Sequence, residues 1–520
     1  MSRILRKTIV IFILFAGMTG AQNYEVLRTF TEVLNQVTEN YVDEKKSEEL
    51  VYHAIQGILK SLDPHSIFLS PGQYRKYKSM KSGELVGFGL EVQRFQGKVY
   101  IQGIVDGTPA KKAGLKIGDV ILQIDTLTIS DTTSTTELEL AFLGEEGTSS
   151  TLKIFRPSAG KEVTIKITRD EYERSNISMA VMLSRGTFYM KIDEFGANLA
   201  GEVRNYIDRI NPDITKKIVI DLRGNPGGGM DQCFKTAEIF LSEDDTVYIS
   251  KGRKKQLDQV GVSKTKRITE LPLIVLIDRN SASASEMLSG ALQDNDRAIL
   301  VGTNTFGKGL IQVPFDLRGG AGLVMTVGRY QTPSGRIIQK EYDNISRDEY
   351  YDLMNSVDSS NFRNGKTYRT NLGRRIYGGG AGELEKVGGI FPDVFVDYGE
   401  DIFTTLDEDS LKIFDVNFLN YFFEQSPDLK GSVKSFRAYY TDYQLEEKVF
   451  YKIIDIWREK DNLISPPEYS LMLANHLKSE IARQVWGEYE AMMIGMLYDK
   501  QLNYALNMTP EDINKILGSR

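Results

Sequence analysis

Asn280-Ser-Ala-Ser-Ala-Ser-Glu286 sets three serines at alternate positions, two residues after the apolar run 271–277. A serine hydroxyl becomes a nucleophile only beside a group that takes its proton, and histidine is the usual partner. The chain holds just three, His53, His65 and His476: one in a helical N-terminal stretch, one after an Asp-Pro break and one in the distant tail. No Gly-x-Ser-x-Gly elbow surrounds the serines. A Ser-His-Asp triad is therefore disfavoured, which leaves a lysine base, a known variant of the same logic. The stretch also has a purely structural reading, because Ser283-x-x-Glu286 ahead of Met287 and Leu288 fits a helix capping box.

Lysine serves as a base near neutral pH only where burial lowers its affinity for the proton. Lys308 lies in Thr305-Phe-Gly-Lys-Gly-Leu-Ile-Gln312, one lysine between two glycines with Phe306, Leu310 and Ile311 around it. Gln312, four residues on, returns to the same face in a helix or a strand and could hold the amine. An ordinary glycine-turn lysine is the competing interpretation. Acyl transfer also needs donors for a developing oxyanion. Asp221-Leu-Arg-Gly-Asn-Pro-Gly-Gly-Gly229 follows a buried-type strand, and its glycines allow close backbone approach. The N–H groups of Gly227 or Gly228, with that of Ala284 at the start of the serine helix, would form the hole. A phosphate cradle is the alternative, but the Gly-Lys-Ser/Thr ending of a P-loop is missing.

These three motifs, with Gly290-Ala-Leu-Gln-Asp294, resemble those of the carboxyl-terminal processing (tail-specific) proteases, Ser/Lys peptidases. Leu62-Asp-Pro-His-Ser66 and Gly388-Gly-Ile-Phe-Pro-Asp393 resemble further family landmarks, so the likeness spans roughly residues 25 to 397. The resemblance implies Ser283 as nucleophile, Lys308 as general base, Gln312 as its support, and a crotonase-like (ClpP/crotonase) α/β core. Val86-Gly-Phe-Gly-Leu90 is similar to the carboxylate-binding loop of PDZ domains. Gly87, Phe88, Gly89 and Leu90 would there offer N–H groups to a chain-terminal carboxylate, while the adjoining strand edge pairs with the peptide. A plain hairpin is the bland reading of that loop. Asp106-Gly-Thr-Pro-Ala-Lys-Lys-Ala-Gly-Leu115 and Ile117-Gly-Asp-Val-Ile121 favour the PDZ module.

The elements that would position these residues follow from periodicity. Val26, Leu27, Phe30, Val33, Leu34, Val37 and Tyr41 recur at helical spacing, and Ser47 looks like the cap of a second helix ended by Asp63-Pro64. Val99–Val105 and Asp119–Asp125 read as strands, with Thr108 capping a short helix and Pro109 in its first turn. Buried-type strands at 218–222, 273–277 and 298–301 alternate with helical patterns, which argues for an α/β core. Leu411, Phe414, Phe418, Tyr421 and Phe422 form an aromatic helical stripe. The expected organisation is a multidomain α/β chain: signal peptide 1–21, helical domain 22–81, β-rich PDZ domain 82–169, Ser/Lys protease core 170–397 and helical region 398–520.

Composition narrows the function. The 520 residues are 41% hydrophobic and 26% charged, as in a globular protein, and a net charge of −7 leaves no basic footprint for nucleic acid. Arg3, Arg6 and Lys7, the run Ile9–Phe15 and Thr19-Gly-Ala21 read as an export signal, placing the chain in the periplasm or cell envelope. An uncleaved anchor is the alternative. Cys233 is the single cysteine, so no internal disulfide forms. No cofactor or metal is expected. The expected partners are protein or peptide substrates with free apolar C-termini; a homodimer and an adaptor are compatible with the sequence. The reading is an exported serine endopeptidase that recognises substrate C-termini. An exported PDZ scaffold with an inactive core, and an acyl-CoA crotonase, are the alternatives.

Overall fold

The computed structural model describes residues 24–518, apart from 83–84, 96–97, 106, 130–140, 157–159, 173–174, 344–349, 351–365, 379–387, 398–434, 442–446 and 462–469. The expected signal segment and the aromatic stripe at 411–422 lie outside the described residues. The chain divides into two compact units, residues up to 70 with 312–326, and the remainder.

In the first unit, helix 24–40 keeps the predicted period, with Tyr24, Val26, Leu27, Phe30 and Val33 exposed. The second helix, Ser47–Lys60, begins at Ser47 itself, and Lys46 stands at the cap position without a side-chain bond. Ser47 is thus not the cap, a correction to the sequence reading. Asp63 explains the break that follows. Its Oδ1 accepts the N–H groups of His65 and Ser66, each at 2.8 Å, and its Oδ2 the Ser66 hydroxyl at 2.6 Å. The turn delivers strand Ile67–Leu69, which pairs antiparallel with 322–324.

The second unit contains a β-rich module. Leu90–Phe95, Lys98–Ile104, Val120–Ile124, Leu127–Thr128, Ser149–Arg156 and Lys161–Thr168 form an antiparallel sheet. Phe88, Val99, Ile101, Leu115, Ile121, Leu152, Ile154 and Ile167 are its core. In Ser149–Arg156, Ser150, Leu152 and Ile154 are buried at every second position, the period of a half-buried strand. Thr108 does precede the short helix Pro109–Lys112, but its hydroxyl donates to the Val105 carbonyl at 2.6 Å and caps nothing. Strand Leu85–Gly87 pairs with Asp170–Tyr172 and so straddles residue 169, where the sequence reading divided two domains.

The rest of the second unit is built on a six-stranded sheet in the order Ile177–Leu183, Thr187–Ile192, Lys217–Asp221, Leu273–Ile277, Ala298–Gly302 and Val394–Phe395. Its first pair is antiparallel and the others parallel. Every residue of the strands 217–221, 273–277 and 298–302 is buried, because a parallel sheet is covered on both faces. Ile218, Ile220, Leu273 and Val275 pack under the helices Leu199–Asp208, Met230–Phe240 and Ala284–Asp294. The alternate residues Val219, Ile274, Leu276 and Ile299 pack against Lys500–Asn507 and Pro510–Leu517. The helices between 436 and 496 carry a separate apolar cluster around Phe450, Leu477 and Ile481.

Candidate active site

Two loops leave adjacent parallel strands at their C-terminal ends, the place where open α/β sheets bind ligands. The first follows Asp221. Gly224 N–H donates to Asp278 Oδ1 at 3.0 Å, which ties it to the second loop. Asn225 is the hub: its Nδ2 donates to the Ile192 carbonyl at 2.9 Å, and its own carbonyl accepts Ala282 N–H and the Ser285 hydroxyl, each at 3.0 Å. Gly227 has φ +102°, and a Cβ there would stand 2.8 Å from Ser283 Cβ and 2.9 Å from Ala284 N. Glycine is required by both conformation and space.

Ser283 stands at the N-cap of the helix Ala284–Asp294 with φ 56° and ψ −110°. A non-glycine residue in this region costs on the order of 1–3 kcal/mol and persists only where its surroundings enforce it. The enforcement comes from Glu286, which is wholly buried. Its Oε2 accepts Ser283 N–H at 2.8 Å and Lys308 N–H at 2.8 Å; its Oε1 accepts Gly307 N–H and the Thr305 hydroxyl, each at 2.6 Å. On the other side the Tyr330 hydroxyl donates between the carbonyls of Ser283, at 2.8 Å, and Lys308, at 3.0 Å. One carboxylate and one phenol therefore fasten the serine turn to the lysine loop by the backbone of both. Ser281 and Ser285 are fully buried; their hydroxyls donate to the carbonyls of Leu222, at 2.8 Å, and Asn225. Of the three serines, only Ser283 is partly open to solvent.

The proposed donors separate. Gly227 N–H is committed to Asn225 Oδ1 at 2.8 Å, which corrects its candidacy as an oxyanion donor. No acceptor among the described residues takes the N–H of Gly228 or Ala284. Beneath them Cys233, fully buried, donates its thiol to the Ala284 carbonyl at 3.2 Å, and burial pushes that thiol up, away from reactivity.

Lys308 is half-buried in a loop that precedes strand Leu310–Asp316, so Gln312 is not its neighbour along one regular element. Gln312 lies on that strand and donates from Nε2 to the His65 carbonyl at 2.8 Å. The aromatic ring of the lysine motif has another guest: Lys340 Nζ lies 3.6 Å from the Phe306 ring centroid and 4.1 Å from that of Tyr350. Lys340 is fully buried with no hydrogen-bond partner for its amine among the described residues. Burial lowers its pKa to about 8, against the opposing pull of Glu286.

In the β-rich module, Phe88 is fully buried and Gly89 has φ +72°. The carbonyls of Phe88 and Gly89 accept from Ala110 and Val105, while Leu90 pairs with Ile104. The N–H of Gly89 has no acceptor among the described residues, whereas the antiparallel bridge between Gly87 and Leu143 turns that of Phe88 toward the Phe142 carbonyl. Arg169 stacks on the Phe88 ring, 4.7 Å from its centroid. Among the described residues no cluster of His, Cys, Asp and Glu could hold a metal ion.

The site thus combines a strained serine at a helix start with two backbone N–H groups beside it that find no acceptor among the described residues, and a β-rich module stands in the same unit. Residues 186–350 match the family described as Peptidase family S41, and 86–176 match the PDZ domain. The chain is 35% identical over 321 residues to the carboxy-terminal-processing protease of Bartonella bacilliformis, covering 61% of this chain and 73% of that one. It is 34% identical over 302 residues to the carboxyl-terminal-processing protease of Picosynechococcus, 57% of this chain and 72% of the relative. A solved photosystem II D1 C-terminal processing protease is 24% identical with a TM-score of 0.37, over 71% of this chain and 92% of that one. The chain belongs to the carboxy-terminal-processing protease family.

Proposed function

We propose that this C-terminal processing peptidase works with a Ser/Lys dyad, Ser283 as nucleophile and Lys308 as general base, in a crotonase-like core. The observation that carries this reading is the shared bracing of the two residues, Glu286 accepting from both backbone N–H groups and Tyr330 donating to both carbonyls. The neutral Lys308 amine takes the Ser283 proton as the hydroxyl oxygen attacks the scissile carbonyl. Gly228 and Ala284 N–H groups receive the oxyanion. The lysine then returns the proton to the leaving amine, and water, deprotonated by the same amine, releases the acyl group. Gln312 keeps the supporting role that the family motif gives it. The PDZ loop at Gly87–Leu90 holds the substrate carboxylate, and the N-terminal segment directs export.

The test is degradation of an unstructured substrate with a free apolar C-terminus. Ser283→Ala and Lys308→Ala are each expected to lose at least about a thousandfold in kcat, the scale on which removal of a nucleophile or its base acts. Undiminished cleavage by either variant removes that residue from the mechanism. Equal turnover of the substrate with a blocked C-terminus would count against carboxylate capture.

A further inference from the structure

The helices that cover the second face of the parallel sheet bring an aspartate to the loop that ends beside the nucleophile. Asp499 is the N-cap of Lys500–Asn507, its Oδ1 accepting Leu502 N–H at 2.9 Å. The same carboxylate faces Arg223 in a two-pronged pair, Nη1 to Oδ1 at 2.9 Å and Nη2 to Oδ2 at 2.6 Å. Gln501 Oε1 also accepts from Nη1 at 3.0 Å, and Gln501 Nε2 donates to the Val396 carbonyl at 2.7 Å. The other edge of the guanidinium grips Asp221, Nε lying 2.9 Å from Oδ1 and 3.1 Å from Oδ2. Tyr189 hydroxyl and Lys191, whose Nζ is 3.7 Å from Asp221 Oδ1, complete the group.

The cluster is nearly closed to solvent, with side-chain exposures of 1% for Asp221, 11% for Arg223 and 19% for Asp499 and for Lys191. Two anions balance two cations. Burial works against each charge, yet Arg223 and Lys191 hold the Asp221 carboxyl well below its ordinary range, and the two aspartates hold Arg223 above its own. Such a network keeps its geometry only while it is complete, because removing one partner strands a buried charge.

Arg223 opens the glycine loop just beyond Leu222, whose N–H donates to the Leu276 carbonyl at 3.0 Å. Lys191 Nζ donates to the Arg223 carbonyl, Gly224 and Asn225 are held next, and Gly227–Gly228 hang from them against Ser283. We propose that Asp499 is a positioning residue for peptide hydrolysis. Its carboxylate reaches from the C-terminal helices to fix Arg223, and through it the loop that aims Gly228 N–H at the developing oxyanion. The inference rests on the serine reading above. A merely structural contact exists for comparison at the other end of the same helix. There Lys217 Nζ donates to the carbonyls of Ala505 and Leu506, each at 2.9 Å, and of Met508, without touching the loop.

The test uses the full chain. Asp499→Asn keeps a cap of equal quality and one acceptor oxygen but removes the charge. Expected are a 10- to 100-fold fall in kcat, on the order of what a small misplacement of a reacting group costs, an unchanged KM, and an equal fall in affinity for a peptide boronate that forms a tetrahedral adduct on the serine. Lys217→Met should lower the melting temperature while leaving kcat and boronate affinity unchanged. Wild-type kcat and boronate affinity in Asp499→Asn overturn the proposal, as do losses of kcat in both variants that simply track the melting temperature. Should Asp499→Asn not fold, Arg223→Lys, which keeps the charge and lacks the fork, is read in the same way. Ser283→Ala is assayed alongside: if it still cleaves, the serine reading falls and this inference with it, whereas an inert Ser283→Ala beside a fully active Asp499→Asn rejects the positioning role alone.

Discussion

Glu286 shows how much one buried side chain organises here. Four donors converge on its two oxygens, and three of them belong to a loop about twenty residues away. Glu286→Gln would turn an NH2 group toward two of those donors. We expect kcat to fall on the order of 100-fold, since both reacting residues shift, and stability to fall by about 1–3 kcal/mol for the donors left unpaired, read from steady-state kinetics and thermal melts. The pH dependence is distinctive. Burial raises the Glu286 carboxyl above its ordinary value, and the bonds from Thr305, Lys308, Gly307 and Ser283 only partly reverse this. On acidification the brace protonates, and one oxygen becomes a donor facing a donor, so the acid limb of kcat should lie above the ordinary glutamate range. Stability moves the other way: with the folded pKa above the unfolded one, this group favours folding most below the unfolded value and loses that contribution as pH rises through the folded value. An acid limb that coincided with loss of folded protein would refute the assignment. The sequence made Ser283 and Glu286 visible as a capping pair, but the bonds to Thr305, Gly307 and Lys308 are contacts between separate loops, which no local pattern records.

At the scale of elements, the glycine turn joins strand 217–221 to the serine helix. Gly227→Ala is expected to fold, with a strain on the order of 1–3 kcal/mol at φ +102°, and to lose nearly all activity, because its Cβ would press on Ala282 O, Ser283 Cβ and Ala284 N, at 2.7, 2.8 and 2.9 Å. Circular dichroism and the peptidase assay separate the two effects; an active variant would show that the approach of loop to nucleophile is not tight. Strands were legible because apolar runs bounded by turn residues admit few alternatives: 273–277 is found as read, and 218–222 shifts by one residue to Lys217–Asp221. Hydrogen-bond partners were less legible. Ser47 and Thr108 are good capping types, yet one is already inside its helix and the other bonds backward to Val105. Which glycine N–H is left without an acceptor among the described residues depended on the Asn225 side chain, which turns to take that of Gly227. Lys308 and Gln312 were read as sharing a face, but the lysine precedes the strand that carries the glutamine.

The two-faced burial of the parallel strands sets the limit on how short this chain can be. The motifs end near residue 397, and nothing in the sequence tied the C-terminal helices to the core. Yet Val219, Ile274, Leu276, Ile299 and Val301 can be dry only if something apolar lies over them, and Leu502, Ala505, Met508, Ile513 and Leu517 supply that cover. At about 1.5–3 kcal/mol for each large buried side chain, the four beyond Ala505 contribute on the order of 6–12 kcal/mol, comparable with a whole domain's net stability of about 5–15 kcal/mol. A chain ended after Tyr498 also loses the carbonyls that receive Lys217 and the carboxylate that receives Arg223. It should therefore accumulate as aggregate, or as a species that binds a hydrophobic dye and melts without a cooperative transition, while a chain ended at Gly518 behaves as the full length. A soluble, cooperatively melting and active protein ending at Tyr498 would show that the sheet's second face is closed by some other part of the molecule.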